Sequence, residues 1–213
     1  MIDQAALKKK IQELIDRDWD TEATNAWFSK LNAEGIPRKN LFKEEIIANK
    51  GEILDRVQRK AEECEHLGHT CATGAALPVM EEFGLGNMEV IQALYPFPGF
   101  GGTGRICGAV SGGLAALGLY FSIGAQGEGM EKAIAAMYAA REFLQRFKDV
   151  IGSVQCSEIQ ENEIFFGRFI DALASDENIQ ALFAANYLEK CALPTGIGAR
   201  LAAEIIIESM EQH

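Results

Sequence analysis

The chain has 213 residues, 31 acidic against 20 basic, and a formal net charge of −11. That length suits one compact domain with a sizeable apolar core, and the acidic balance, with Lys and Arg scattered or paired with Glu, excludes a nucleic-acid surface. Met1-Ile2-Asp3-Gln4 opens directly into an amphipathic helix with no apolar signal region, so a cytoplasmic location is expected.

The first helix is predicted from about Asp3 to Asp18, with Leu7, Ile11, Leu14 and Ile15 on one face, at helical spacing. A second, capped by Asp20 or Thr21, carries Trp27, Phe28 and Leu31 and stops near Gly35, a capping residue and a glycine stop marking its ends. A longer helix is read from Leu41 to Leu67, with Gly51 its weak point, and another from Thr70 to the Gly84-Leu85-Gly86 turn, with Pro78 as a kink; proline removes one helical hydrogen bond. Met88 to Leu94 is short, and Tyr95-Pro96-Phe97-Pro98 bars regular structure from entering the glycine-rich loop that follows, since each proline also restricts the residue before it.

That loop, Gly99-Phe100-Gly101-Gly102-Thr103-Gly104, opens an uncharged helix over Ile106 to Gly127. The stretch has about the length of a membrane span, but the amphipathic helices around it favour a buried central helix and no membrane span. Its small residues Gly108, Gly112, Gly113 and Gly118 suit close packing against a twin helix, so a homodimer is expected. After Gly127-Glu128-Gly129 come a strong helix over Met130 to Val150, one from Asn162 to Tyr187 broken near Ser175, and one from Gly196 to Glu211. No strand alternation appears, and the predicted fold class is all-α, a multi-helix bundle around the central helix.

Five cysteines, an odd number, argue against a disulfide framework and leave metal binding, redox chemistry or burial. Cys107 falls in the first turn of the central helix, where free N–H groups stabilise a thiolate. Cys71 and Cys156 also stand near predicted helix ends. Cys64-Glu65-His66-Leu67-Gly68-His69-Thr70-Cys71 packs two cysteines and two histidines into eight residues, a donor set for a soft metal ion, or else a helix end with surface histidines. Cys191 reads as a small core residue. The loop formally contains Gly-x-Gly-x-x-Gly, but no strand precedes it, and the glycines serve a tight turn better than a dinucleotide. No heme-attachment Cys-x-x-Cys-His occurs.

Three segments together resemble the family of redox-active proteins named for its C, GCAxxG, C, C cysteine pattern: Gly68-His69-Thr70-Cys71-Ala72-Thr73-Gly74, Gly99 through Cys107-Gly108-Ala109 to Gly112, and Phe147 through Gly152-Ser153 to Cys156. The resemblance covers roughly residues 60 to 160 and divides the chain into a helical extension (1–60), a cysteine-containing core (61–160) and a second extension (161–213), packed as one unit. Thr70 stands where the motif has Gly, and Gly74 falls one residue early; Cys64 is the candidate for the first cysteine.

The resemblance implies a redox role with an iron–sulfur cluster or another thiolate-bound metal. Cys71, Cys107 and Cys156, with Cys64 and His69 as further donors, would hold it, and Gly101, Gly102 and Gly104 would approach it. The family is similar in part to the split-Soret cytochromes, of which only the non-heme, sulfur-ligated portion carries over. Two other functions stay open: a metal-free dithiol/disulfide oxidoreductase or sensor, and a zinc-holding interaction module. A redox partner protein is expected for the first.

Overall fold

The computed structural model describes residues 3–124 and 129–212. Among these it contains twelve helices and a single isolated antiparallel bridge. The turn predicted at Gly127 and Glu128 lies outside the described residues. Among the described residues, no helix is long and apolar enough to cross a membrane.

Helices α1 (Gln4–Ile15) and α2 (Thr21–Glu34) form the predicted N-terminal hairpin. Asp3 and Asp20 cap them by accepting from the amides of Ala6 and Ala23, each at 3.0 Å; a carboxylate at that position satisfies an otherwise unpaired N–H. Leu7, Ile11 and Leu14 are buried, as their spacing requires.

The single helix predicted over Leu41 to Leu67 is two, α3 (Lys43–Ala48) and α4 (Lys50–His66). The break falls at Asn49, whose side-chain amide donates to the Glu45 carbonyl at 2.9 Å. Asn competes for backbone groups in this way, whereas Gly51 sits undisturbed inside α4. Helix α5 (Cys71–Phe83) absorbs Pro78 and ends on Gly84 with φ +63°.

Helix α6 (Met88–Ala93) and the short turn α7 (Gly99–Gly102) lead to α8 (Gly108–Gly124), the predicted central helix. Beyond it lie α9 (Met130–Ile151), α10 (Cys156–Glu161), α11 (Asp176–Ala184) and α12 (Tyr187–Gln212). The helix expected over Asn162 to Tyr187 exists only as α11. Asn162 and Asp171 turn back on the amides of Ile164 and Leu173, at 3.1 and 3.0 Å, and hold residues 162–174 in turns. The last helix starts earlier than predicted, at Tyr187, and runs through Pro194.

Helix α12 lies along α4, α5 and α8, and α8 packs on α5 and α9. The glycines offered above for a twin helix are largely used inside the chain. A Cβ on Gly112 would sit 2.1 Å from the Ala72 carbonyl oxygen, and one on Gly113 would sit 2.5 Å from the Phe143 ring; Gly118 alone has open space. Gly112→Ala is therefore expected to force α5 and α8 apart at a cost of about 3 kcal/mol, lowering the melting temperature by roughly 6–12 °C. Gly118→Ala should instead stabilise by up to about 1 kcal/mol through helix propensity. Thermal unfolding of the two variants side by side checks the pair of signs.

Candidate functional site

The loop before α8 and the loop before α10 pair as a short antiparallel ladder. Cys107 N–H donates to the Val154 carbonyl at 2.9 Å, Cys156 N–H to the Arg105 carbonyl at 2.6 Å, and Ser157 N–H to the Gly104 carbonyl at 2.8 Å. The ladder sets Cys107 and Cys156 into one wall. Gly104, at φ +76°, has no room for a side chain, because a Cβ would meet the Phe169 ring at 2.9 Å and the Ser157 Cβ at 3.1 Å. Gly101 has open space at its Cβ position, and Gly102 lies on the wall of the cavity described next.

Cys71 is the first residue of α5, and its sulfur lies where a Cβ on Gly108 would be, 2.3 Å from that position. The bare backbone at Gly108 thus lets Cys71 approach Cys107. Cys71, Cys107 and Cys156, together with Cys191 from the first turns of α12, line one cavity of about 210 Å³. Its roof is a single stretch of chain, from Phe166 to Phe183, whereas its sulfur-bearing floor comes from four separate segments.

The sulfurs differ in character. The Cys71 thiol donates to Cys107, which holds Cys107 below the usual thiol range, helped by the Ala109 and Val110 amides at the start of α8, and holds Cys71 well above that range. Burial pushes Cys156 up to about 12 and raises Cys191 as well. Behind them, Glu65 is fully buried with neither carboxyl oxygen hydrogen-bonded among the described residues. The Thr195 hydroxyl near it is committed to the Cys191 carbonyl at 2.8 Å. Burial first, and the Cys107 charge second, push the Glu65 carboxyl up to about 8.

Four residues predicted for the site do not reach the cavity wall: Gly101, Gly104, Cys64 and His69. Cys64 is buried between helices, where a Cβ on Gly74 would lie 3.2 Å from its own, and burial raises its thiol far above the usual range. His69 stacks on Phe28 at 3.9 Å between ring centres, as His66 stacks on Trp19 at 4.3 Å. Both histidines thereby dock the N-terminal hairpin. Cys191 is the residue that sequence reasoning missed. It read as a small core residue, because the last helix was expected only from Gly196; the earlier start of α12, at Tyr187, carries Cys191 to the wall that the other three share.

Thr70, just before Cys71, has φ +67° and ψ 143°, a strained conformation for a β-branched residue. Its hydroxyl accepts from the Thr73 amide at 3.3 Å, a cap that glycine replaces at a loss of only a few tenths of a kcal/mol. Thr70→Gly is accordingly expected to stabilise by about 1 kcal/mol, read as a rise of roughly 2–4 °C in melting temperature.

A family model described as "Putative redox-active protein (C_GCAxxG_C_C)" matches residues 69–205. The chain belongs to this family. No curated protein and no solved structure matches the chain. The matched span reaches well past residue 160 and takes in most of α12. It contains four cysteines, Cys71, Cys107, Cys156 and Cys191, and leaves Cys64 outside. With Cys71 as the first cysteine of the family pattern, Cys107-Gly108-Ala109-Val110-Ser111-Gly112 stands at its second position, the leading Gly and Cys exchanged.

Proposed function

We propose that this redox-active protein carries an iron–sulfur cluster on Cys71, Cys107, Cys156 and Cys191 and passes electrons to a partner protein. The observation that carries the reading is the meeting of these four cysteines, from four distant segments, on the wall of one cavity. Four thiolates are the usual protein ligand set of such clusters. The cavity, about 210 Å³, is about seven times the ~30 Å³ share of one water and leaves room for more than sulfur. A bound cluster supplies one-electron chemistry. The chain's own part is to give up the four thiol protons, to donate the Ala109 and Val110 amides toward the Cys107 sulfur, and to keep water away with an apolar wall, which tunes a potential. Among the described residues, no three His, Cys, Asp or Glu side chains stand close enough together to hold a single ion.

A second reading rests on the Cys71–Cys107 contact. A thiol paired with a sulfur held toward the thiolate is the arrangement of a dithiol that closes to a disulfide.

Purification without oxygen, followed by assay of iron and acid-labile sulfide per chain and a visible spectrum, tests the two. Iron and sulfide in matching amounts are expected. A colourless, metal-free protein that forms one reversible Cys71–Cys107 disulfide would overturn the cluster in favour of the dithiol, and zinc alone would overturn both.

A further inference from the structure

The cavity has an inner, sulfur end and an outer, aromatic end. Cys107 is 5% exposed, whereas Ile179 and Phe183 on the same wall are 40% and 60% exposed and mark the mouth. Between these limits the wall carries Phe166, Phe169 and Tyr187. Among the described residues no Asp, Glu, Lys, Arg or His stands on it, and the sulfur held toward the thiolate, Cys107, is confined to its inner end. Its one carboxamide, Gln160, is engaged at both ends, donating to the Cys156 sulfur at 3.5 Å and accepting from the Ile170 amide at 3.0 Å.

These properties select a class of ligand. A phosphate-bearing cofactor or an organic acid would bury charge without a counter-charge, and a peptide would bury backbone donors and acceptors without partners, and burial disfavours both. A flat neutral ring instead finds aromatic faces and edges to pack on. Quinones are neutral both as the oxidised ring and as the fully reduced hydroquinone, so one uncharged chamber holds both forms. We propose that the outer chamber is a binding site for a small neutral molecule of the quinone class, seated against Phe166, Phe169, Phe183 and Tyr187 with its edge toward the sulfur end. Its meaning as an electron-exchange partner rests on the redox reading given above; its binding does not.

Duroquinone is a suitable probe, because its four methyl groups block thiol addition to the ring. Equilibrium dialysis against the anaerobically purified protein should give saturable binding of one molecule per chain, and the anionic anthraquinone-2-sulfonate should not compete. Phe183→Asp, at the exposed mouth, should weaken duroquinone binding at least about tenfold by placing a charge there, and Phe183→Leu should restore it to within about threefold. Absence of saturable binding by the unaltered protein, or equal affinity of the Asp variant, overturns the site. Iron and sulfide assayed on the same preparation report on the sulfur centre separately, so failure of either is recognised without the other.

Discussion

Cys107→Ser is expected to lower iron and sulfide per chain at least about tenfold while leaving far-ultraviolet circular dichroism unchanged. The separation of effects follows from where this residue stands. Its carbonyl accepts from the Val110 and Ser111 amides at 3.0 and 3.2 Å, so it caps α8, and its own amide closes the ladder to Val154. A serine keeps all three backbone bonds, and its oxygen is among the best acceptors for free amides at a helix start. The fold therefore keeps its local support, and only the sulfur is lost. Cys191→Ser should lose iron in the same way, since its sulfur shares the cavity, and Cys64→Ser should retain it. Full iron in the Cys107 variant would remove the cluster from this site; full iron in the Cys191 variant alone would reduce the set to three.

The second large effect is expected at Glu65 and is read as stability against pH in the reduced, metal-free protein. Two carboxylates are buried on α4, three residues apart, and their circumstances are opposite. Glu62 meets the Arg17 guanidinium at 2.7 Å and the Gln58 amide at 2.8 Å, whereas Glu65 has no such partner, and burial pushes its carboxyl from the ordinary 4.5 up to about 8. Below about pH 4.5 the group is neutral in both folded and unfolded chains and costs nothing. From there to pH 8 the unfolded chain ionises and the folded one does not, so stability falls by about 1.4 kcal/mol per pH unit, on the order of 5 kcal/mol in all, and then levels. Glu65→Gln removes the ionisation and should stand several kcal/mol above the parent at pH 9, and within about 1 kcal/mol of it at pH 4. Urea midpoints across that range measure the difference; parallel curves would show that Glu65 ionises in the folded chain as freely as in water.

Much of the fold was legible because amphipathic spacing survives in isolation. Leu7, Ile11 and Leu14 announce α1, and the run of small apolar residues after Cys107 announces a buried α8. Boundaries failed where a side chain competes with the backbone, at Asn49 and at Asn162 and Asp171, because these residues read equally well as helix surface until the turn they make is seen. The last helix begins at Tyr187 and not at the expected Gly196 for the opposite reason, since packing along α4, α5 and α8 outweighs the one hydrogen bond that Pro194 removes. In the site, three cysteines could be chosen from their places near helix ends and from the family resemblance. The fourth required knowing that α12 begins at Tyr187, and the histidines beside Cys64 were attractive as ligands only while the N-terminal hairpin that stacks on them was out of view.

The separate origins of the cavity's floor and roof make specificity and chemistry independently editable. The four sulfur positions are welded into the helix core by the Cys107–Cys156 ladder and by the lengths of α5 and α12, so a change there is felt throughout the molecule. The roof from Phe166 to Phe183 is one continuous stretch of chain joined at both ends to that core. A lineage or an engineer could reshape this stretch to admit a differently shaped guest while leaving the four sulfur positions in place, provided Phe169 keeps its seat on Gly104.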